Sequence, residues 1–348
     1  MNPYILAALL FGLGLGTTIT FASSHWLLAW MGLEINTLAI LPLMSQHHHP
    51  RAVEATLKYF LIQATAAAML LFASTTNAWL TGQWDIHQMS HPLPVTIITL
   101  ALALKIGLAP AHSWLPEVLQ GLDLTTGLIL STWQKLAPFA LILQIQHFNP
   151  TIVIALGLMS TLVGGWGGLN QTQLRKVLAY SSIAHLGWMM LVIQYSPALA
   201  LMALLTYIIM TSSTFLVFKL NNTTTINTLA ASWAKGPIIA VFMPLVLLSL
   251  GGLPPLTGFA PKWLILQEMV KQDLAPVATI AALTALLSLY FYLRLCYAMA
   301  LTIPPHTSTN TTPWRYPSPQ HTQPLALLTL LTLSLLPLTP ALVALLTP

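Results

Sequence analysis

The chain is divided almost end to end into apolar stretches long enough to cross a membrane, and this pattern restricts its fold more than any other feature. Hydrophobic residues make up 56% of its 348 positions and charged residues only 5%, whereas a soluble domain carries about 25% charged residues. So few charges cannot cover a surface that faces water. Runs of about 20 residues fit membrane helices, because the strands of a barrel would alternate over about 9–11 residues. We therefore predict an all-α, polytopic membrane helical bundle.

The pattern predicts eleven transmembrane helices, each with about 20 mainly apolar residues. They cover residues 3–22, 25–44, 57–80, 94–119, 123–146, 150–170, 174–195, 198–220, 237–271, 275–301 and 324–346. Two of them are unusual, because Pro110 and Pro116 interrupt the fourth and the glycine- and proline-rich stretch 251–261 interrupts the ninth. Proline breaks a helix, and an open backbone inside a membrane is tolerated only where protein or water covers it. We therefore predict two broken helices.

We predict a single membrane domain over residues 1–348 that contains a weak internal repeat. Residues 1–146 and 150–301 each contain five spans. An offset near 150 residues aligns the two broken helices with each other and Glu34 with His185. Five is an odd number, so the two repeats would insert with opposite orientation, as in many secondary transporters. A polar loop, 302–323, then leads to a C-terminal transmembrane helix, 324–346.

Basic residues indicate the orientation. Lys271 is alone at a loop on the far face, whereas seven basic residues fall in or beside the loops on the side of the N-terminus. Those seven are Arg51, Lys58, Arg175, Lys176, Lys219, Lys235 and Arg315. By the positive-inside rule the N-terminus is inside, and eleven crossings place the C-terminus on the opposite face.

Four ionisable side chains fall in the middle of apolar runs: Glu34, Lys105, Lys135 and Lys262. A charge there costs about 2.5–3.5 kcal/mol on insertion scales, and such residues commonly mark an ion or proton path. A nearby carboxylate favours the charged lysine and desolvation favours the neutral one, so Glu34 and Lys105 would form a two-state pair. Lys135 and Lys262 have no carboxylate in the same stretch and are candidates for lysines that load and release a proton. An unperturbed histidine titrates near neutral pH, so His185 suits a relay between lysines.

Structural roles stay open for all five residues. Each lysine can pair with a carbonyl at a helix break, Glu34 can be a structural partner, and His185 can be a packing histidine. Other chemistry finds little support. Cys296 alone cannot ligate a four-cysteine iron–sulfur cluster, the run His47–His49 has no partner ligands for a metal, and 12 scattered basic residues form no face for nucleic acid. We expect no cofactor, metal or nucleic acid in this chain.

Four segments resemble a known family. They are WMGLEINT at 30–37, KIGLAPAHSWLPE at 105–117, QLRKVLAYSSIAHLG at 173–187 and GGLPPLTGFAPKW at 251–263. These segments are similar to the proton-translocating, antiporter-like membrane subunits of respiratory NADH dehydrogenase, or complex I, in their vertebrate mitochondrial form. The resemblance covers essentially the whole chain. Eleven helices fit the shortened animal form, which lacks the first three of the fourteen helices of bacterial members.

The resemblance implies a core subunit of NADH:ubiquinone oxidoreductase, in the proton-pumping arm of the inner mitochondrial membrane. Its N-terminus would face the matrix and its C-terminus the intermembrane space. Glu34 would pair with Lys105, and Lys135, His185 and Lys262 would continue a hydrated axis across the subunit. FMN, the iron–sulfur clusters and ubiquinone would belong to other subunits, so this chain would carry out no redox chemistry. Its partners would be other membrane-arm subunits, including neighbouring antiporter-like ones, and membrane lipid such as cardiolipin.

Two other functions stay open. One is a free-standing cation/proton antiporter of the same fold, against which the missing helices argue. The other is a structural spacer subunit of the same complex without its own proton transfer. The retained ionisable groups count against a spacer, because an inert subunit would be more stable without charges in the middle of its helices.

Overall fold

The structure, a computed structural model, describes residues 2–46, 49–145, 149–234, 237–300 and 322–346. These ranges are helical apart from turns and loops and contain no β-strand. The chain divides into two compact units, Met1–Ser160 and Thr161–Pro348. Lys235, Arg315 and nearly all of the predicted polar loop lie outside the described residues. The predicted all-α class is confirmed for the ranges described.

The first unit consists of seven helices and the beginning of an eighth. They are α1 (Pro3–Ala22), α2 (Trp26–Met44), α3 (Pro50–Thr81), α4 (Pro92–Ile106), α5 (Trp114–Gly121), α6 (Leu124–Ser131), α7 (Trp133–Gln144) and α8 (Pro150–Gly168), in which the boundary between the units falls. Proline begins several of these helices, because its missing N–H is one of the donors that a first turn leaves without a partner. At α1 and α3 the preceding side chains, Asn2 and His49, also accept a backbone N–H as N-caps.

The second unit contains the rest of α8 and the remaining helices. They are α9 (Leu174–Val192), α10 (Pro197–Asn221), α11 (Ile226–Ala230), α12 (Pro237–Gly251), α13 (Phe259–Lys271), α14 (Ala275–Ala300), α15 (Gln323–Ser334) and α16 (Thr339–Leu346). The predicted C-terminal span is not straight, because α15 and α16 meet at an angle of 68°. A short 3₁₀ turn at Leu336–Leu338 joins them, and Pro337 within that turn cannot donate a helical hydrogen bond.

Both predicted helix breaks are present and end their first halves in the same way. Gly107 after α4 and Gly252 after α12 adopt left-handed conformations, with φ of 88° and 79°. The next residue then donates its N–H back across the turn, from Leu108 to the Ala103 carbonyl at 2.9 Å and from Leu253 to the Leu248 carbonyl at 3.3 Å. This arrangement is a common C-terminal helix stop, in which a left-handed glycine avoids a clash of Cβ.

Seven helical segments of the described ranges are long and apolar enough to cross a membrane, and the bent C-terminal pair would be an eighth. The seven are α1, α2, α3, the stretch Leu124–Gln144, α8, α10 and α14. The first halves of the broken helices, α4 and α12, have 15 residues each, fewer than the ~20 needed to cross alone. The chain is therefore a multi-pass membrane protein that is all-helical in the ranges described.

In the first unit, the loop before α2 pairs with the loop after α3. The Trp26 N–H donates to the Trp84 carbonyl at 3.1 Å, and the Ile86 N–H donates to the Ser24 carbonyl at 2.9 Å. These two bonds form one antiparallel bridge, over which the rings of His25 and Trp84 stack with centroids 5.3 Å apart. The bridge fixes the beginning of α2 next to the end of α3.

The second unit contains a bridge of the same kind. The Leu174 N–H donates to the Thr224 carbonyl and the Ile226 N–H donates to the Thr172 carbonyl, both at 3.1 Å. The loop before α9 is thus joined to the loop after α10. Each unit pairs the loop before one helix with the loop that follows the next helix along the chain.

Helices α1 and α2 approach each other closely where two glycines face. A Cβ on Gly16 would stand 2.8 Å from the Gly32 carbonyl oxygen, and a Cβ on Gly32 would stand 2.9 Å from the Gly16 carbonyl oxygen. Small residues of this kind allow the backbones of membrane helices to pack directly. This crossing places the middle of α2, which carries Glu34, beside α1.

Candidate functional site

Glu34 on α2 and Lys105 in the last turn of α4 come together in the first unit. Lys105 Nζ lies 3.9 Å from Glu34 Oε1, and the two side chains are 2% and 26% exposed. Thr37 donates its hydroxyl to the other carboxylate oxygen, Oε2, at 3.2 Å. The distance from amine to carboxylate exceeds that of a hydrogen bond. The two groups therefore form an ion pair without a direct hydrogen bond.

The end of α4, where Lys105 lies, is held by side chains from two other helices. The last carbonyls of a helix have no partner within it. Here the Trp114 indole on α5 donates to the Leu104 carbonyl, and the Gln63 amide on α3 donates to the Lys105 carbonyl, both at 3.2 Å. These bonds fix the position of Lys105 next to the break, where the negative end of the helix dipole favours a cation.

Lys105 and Lys135 line one small cavity. Lys135 lies on α7 and is 3% exposed. The cavity measures about 20 Å³, which is room for about one water molecule. Its other polar lining residues are Asn36, Thr37, Tyr59, Gln63 and Gln134. Both lysines thus line one small space, partly polar and partly apolar, that one water would fill.

Lys262 lies in the first turn of α13, in the second unit, and reaches back across the break. Its Nζ donates a hydrogen bond to the carbonyl of Gly251, the last residue of α12, at 2.7 Å. The left-handed Gly252 leaves space for this, since a Cβ there would stand 2.8 Å from Lys262 Cδ. The sequence left open a structural role in which a lysine pairs with a carbonyl at a helix break. This contact is a pairing of that kind.

His185 lies on α9, also in the second unit. Its ring contacts that of Tyr207 on α10, with centroids 5.6 Å apart. Ser181 and Ser182 are buried on the same helix and donate their hydroxyls to the carbonyls of Leu178 and Ala179. The structure therefore brings Glu34 to Lys105 and Lys105 to Lys135, while His185 and Lys262 lie on α9 and α13 of the second unit.

Sequence reasoning missed the neutral amides of this site, Asn36, Gln63 and Gln134. Gln63 supports the backbone at Lys105, and Gln134 donates to the Asn36 carbonyl at 3.5 Å. Neutral polar residues cost less in a membrane helix than charged ones and are common at helix contacts. One signal was available, because Asn36 follows Glu34 by two residues in a span that is mainly apolar.

Within the described ranges, no three His, Cys, Asp or Glu side chains gather where they could hold a metal ion. His47 and His48 lie outside those ranges, and His49 caps the beginning of α3. Cys296 is a free thiol on α14 whose Sγ lies 3.7 Å from the Pro244 carbonyl. The polar features of the site are therefore the lysines, the carboxylate and the amides.

Broken membrane helices that carry buried ionisable residues define a class of polytopic proteins that move ions. Comparison with known sequences identifies the family within that class. A family model described as NADH:quinone oxidoreductase/Mrp antiporter, TM, matches residues 23–288, and one described as NADH dehydrogenase subunit 2 C-terminus matches residues 289–343. The chain belongs to the NADH:quinone oxidoreductase/Mrp antiporter family, among its NADH dehydrogenase subunit 2 members. The family resemblance predicted from the four segments is confirmed.

Curated relatives and solved structures agree with this assignment. NADH-ubiquinone oxidoreductase chain 2 of Tetraodon nigroviridis is 76% identical over 93% of this chain and 92% of its own length, and that of Salmo salar is 71% identical over the whole of both chains. A chain of respiratory complex I from Thermus thermophilus, solved with bound aureothin, is 30% identical with a TM-score of 0.88, over 99% of this chain and 80% of its own. A chain of the Mrp complex from Dietzia sp. shares the fold, with 17% identity and a TM-score of 0.86 over 97% of this chain and 76% of its own.

Proposed function

We propose that this chain is a proton-translocating membrane-arm subunit of NADH:ubiquinone oxidoreductase, and that Glu34, Lys105, Lys135, His185 and Lys262 carry the proton. Electron transfer from NADH to ubiquinone takes place in other subunits and is coupled to pumping through this chain. The single observation that carries the assignment of residues is Lys105, buried between a carboxylate and a cavity that it shares with a second lysine. Family membership supports the function itself.

The geometry supports a two-state step at the first break. With Glu34 Oε1 3.9 Å from Lys105 Nζ, a small displacement either closes a direct hydrogen bond or separates the pair. Separation removes the negative charge that favours the ammonium form, and the proton then passes through the cavity towards Lys135. Moving one charge against about 100 mV costs ~2.3 kcal/mol, so each stroke needs a driven change at Glu34.

We assign the continuation of the path in the second unit to His185 and Lys262. Lys262 would exchange its bond to the Gly251 carbonyl for a proton acceptor during the cycle. The position of this lysine beside the second break supports the assignment. The same bond also favours the alternative function, a structural spacer subunit without its own proton transfer, because a lysine that only anchors a break would make that contact.

We also propose eleven crossings, arranged as two inverted five-helix repeats, residues 1–146 and 150–301, within a single domain, with a C-terminal helix at 324–346. The matching loop bridges and the matching helix stops support the repeat. The loop bridges also change its register, because aligning Leu174 with Trp26 on their bridge bonds places Ser182, and not His185, opposite Glu34. His185 then lies three residues further along α9.

The remaining assignments follow from the family. The chain would lie in the inner mitochondrial membrane, with its N-terminus in the matrix and its C-terminus in the intermembrane space. FMN, iron–sulfur clusters and ubiquinone would be bound by other subunits, and this chain would carry out no redox chemistry. Its partners would be other membrane-arm subunits, including antiporter-like neighbours, and membrane lipid such as cardiolipin.

The experiment that tests the proposal replaces Lys105 with methionine, which keeps the length of the side chain and removes its charge. Lys271→Met is the matched control, because Lys271 is exposed and pairs only at the surface, 3.3 Å from Glu268. Intact complexes carrying each variant are reconstituted into vesicles, and the proton-to-electron ratio is measured. We expect a lower ratio for Lys105→Met and the parental ratio for Lys271→Met. An assembled Lys105→Met complex with an unchanged ratio would refute the proposal and favour the spacer.

A further inference from the structure

The side chain of Asn36 is buried without a hydrogen bond that accounts for it. The residue is 2% exposed, and within the described ranges neither Oδ1 nor Nδ2 has a hydrogen-bond partner. Asn77 on α3 is buried as deeply, and its Oδ1 also lacks a partner within the described ranges, but its Nδ2 donates to the Gln83 carbonyl at 3.2 Å. A buried amide that loses its water and gains no protein partner costs free energy and calls for an explanation.

The surrounding backbone holds this amide in one place. A Cβ on Gly16 would stand only 2.5 Å from Asn36 Oδ1, so α1 fits against the amide because residue 16 has no side chain. On the other side, the Gln134 amide donates to the Asn36 backbone carbonyl at 3.5 Å. Asn36 is therefore contacted by α1 at its side-chain amide and by α7 at its backbone carbonyl.

Asn36 lines the same cavity as Lys105 and Lys135. A buried water needs about two to four polar partners, and an asparagine amide can both donate to it and accept from it. The Nζ of Lys105 also lacks a hydrogen bond to any described residue, since its carboxylate partner is 3.9 Å away. The cavity thus combines room for one water with polar groups that such a water would satisfy.

We propose that Asn36 is a positioning residue for proton transfer, which orients a water molecule between Lys105 and Lys135. This inference rests on the proposed function of the two lysines. The water accepts a proton from the Lys105 ammonium group and gives one of its own to the neutral Lys135 amine, so that it is unchanged at the end. Asn36 forms hydrogen bonds to the water throughout and does not titrate, so it holds the water in place without taking the proton.

The test compares Asn36→Leu with Asn77→Leu in the intact complex in vesicles. Leucine is close in shape to asparagine and removes both hydrogen-bonding groups, and Asn77 controls for the loss of a buried amide in the same unit. We expect Asn36→Leu to lower the proton-to-electron ratio to the value of Lys105→Met, and Asn77→Leu to keep the parental ratio. Asn36→Ser, whose hydroxyl also donates and accepts, should restore a ratio above that of Asn36→Leu.

Asn36→Ala supplies the test if leucine next to Gly16 prevents assembly, because alanine removes the amide without adding bulk. It should lower the ratio, and Asn36→Ser should again exceed it. A parental ratio in an assembled Asn36→Leu or Asn36→Ala complex would overturn the inference, and so would an equal loss in Asn77→Leu. If Lys105→Met lowers the ratio while the Asn36 variants do not, only the role proposed for Asn36 is refuted. If Lys105→Met also has no effect, the proposed function fails with it.

Discussion

Gly252 and Lys262 depend on each other at the second break. The glycine is left-handed, and its missing side chain leaves the space through which the lysine reaches the Gly251 carbonyl. A substitution there has two separate effects, one on the backbone and one on the lysine. Gly82, at the end of α3, offers a comparison, because its φ is also positive, at 72°, while a Cβ there would meet no atom within 4 Å.

We expect Gly252→Ala and Gly82→Ala to lower stability by a similar amount, about 1–2 kcal/mol each, because both force alanine into a left-handed conformation. Only Gly252→Ala should also lower the proton-to-electron ratio, since its methyl group would displace Lys262. Thermal unfolding of the solubilised complex and proton pumping in vesicles measure the two effects. A parental ratio in an assembled Gly252→Ala complex would show that the position of Lys262 does not affect pumping.

At the scale of single residues, the sequence predicted the charged groups and missed the neutral ones. A lysine or glutamate within an apolar run is costly enough to be recognised without a structure, and this led to Glu34, Lys105 and Lys135. Asn36 and Gln63 matter because of which helix faces meet, and a single sequence contains no such information. The bond from Lys262 to Gly251 likewise depends on the geometry of the break.

Among the elements, the broken helix formed by α4 and α5 illustrates how open backbone is stabilised within a membrane protein. Its carbonyls at Leu104 and Lys105 are satisfied by the indole of Trp114 and the amide of Gln63. Water is scarce at this depth, so protein donors must take its place. The side chains that end the helix are therefore as important to the site as Lys105 itself.

Trp114→Phe should destabilise the first break, because it leaves the Leu104 carbonyl without its indole donor while keeping an aromatic ring beside Tyr59. The expected cost is about 1–3 kcal/mol, together with faster hydrogen exchange at residues 107–113. Trp79→Phe is the control, because Trp79 is 88% exposed on α3 and should change neither quantity. Equal exchange in the two variants would mean that the indole bond does not hold the break.

The two helix breaks were predictable from the sequence, whereas the bend of the last predicted span was not. Proline and glycine are strong signals of interruption, so both breaks were expected where they occur. The bend between α15 and α16 was not, because Pro337 lies within a run that is otherwise apolar enough to read as one span. The turn at Leu336–Leu338 and the angle of 68° are visible only in the structure.

On the scale of the whole molecule, the sequence indicated an internal repeat only by position. The loop bridges supply more detailed support, because each unit repeats the same pair of backbone bonds. The family was predictable from four short segments, since they combine uncommon residues in a fixed order. The register of the repeat was not, because helix positions shift by a few residues without changing the pattern of apolar runs.

The proposal of eleven crossings predicts on which side of the membrane each loop lies. Gln88 follows three crossings and Thr224 follows eight, so the two should lie on opposite sides of the membrane. Single cysteines at these exposed positions, in a background in which Cys296 is replaced by alanine, can be labelled with a reagent that does not cross the membrane. We expect Thr224→Cys to react only from the matrix side and Gln88→Cys only from the other side. Labelling of both from one side would rule out inverted repeats.

The hydroxyl of Thr257, inside the second break, donates to the Thr332 carbonyl on α15 at 2.7 Å. A change in the shape of the break must therefore either release this bond or carry α15 with it. A displacement of α15 reaches the break through the same bond. A neighbouring subunit that binds α15 would thus be able to alter the shape of the second break without contacting Lys262.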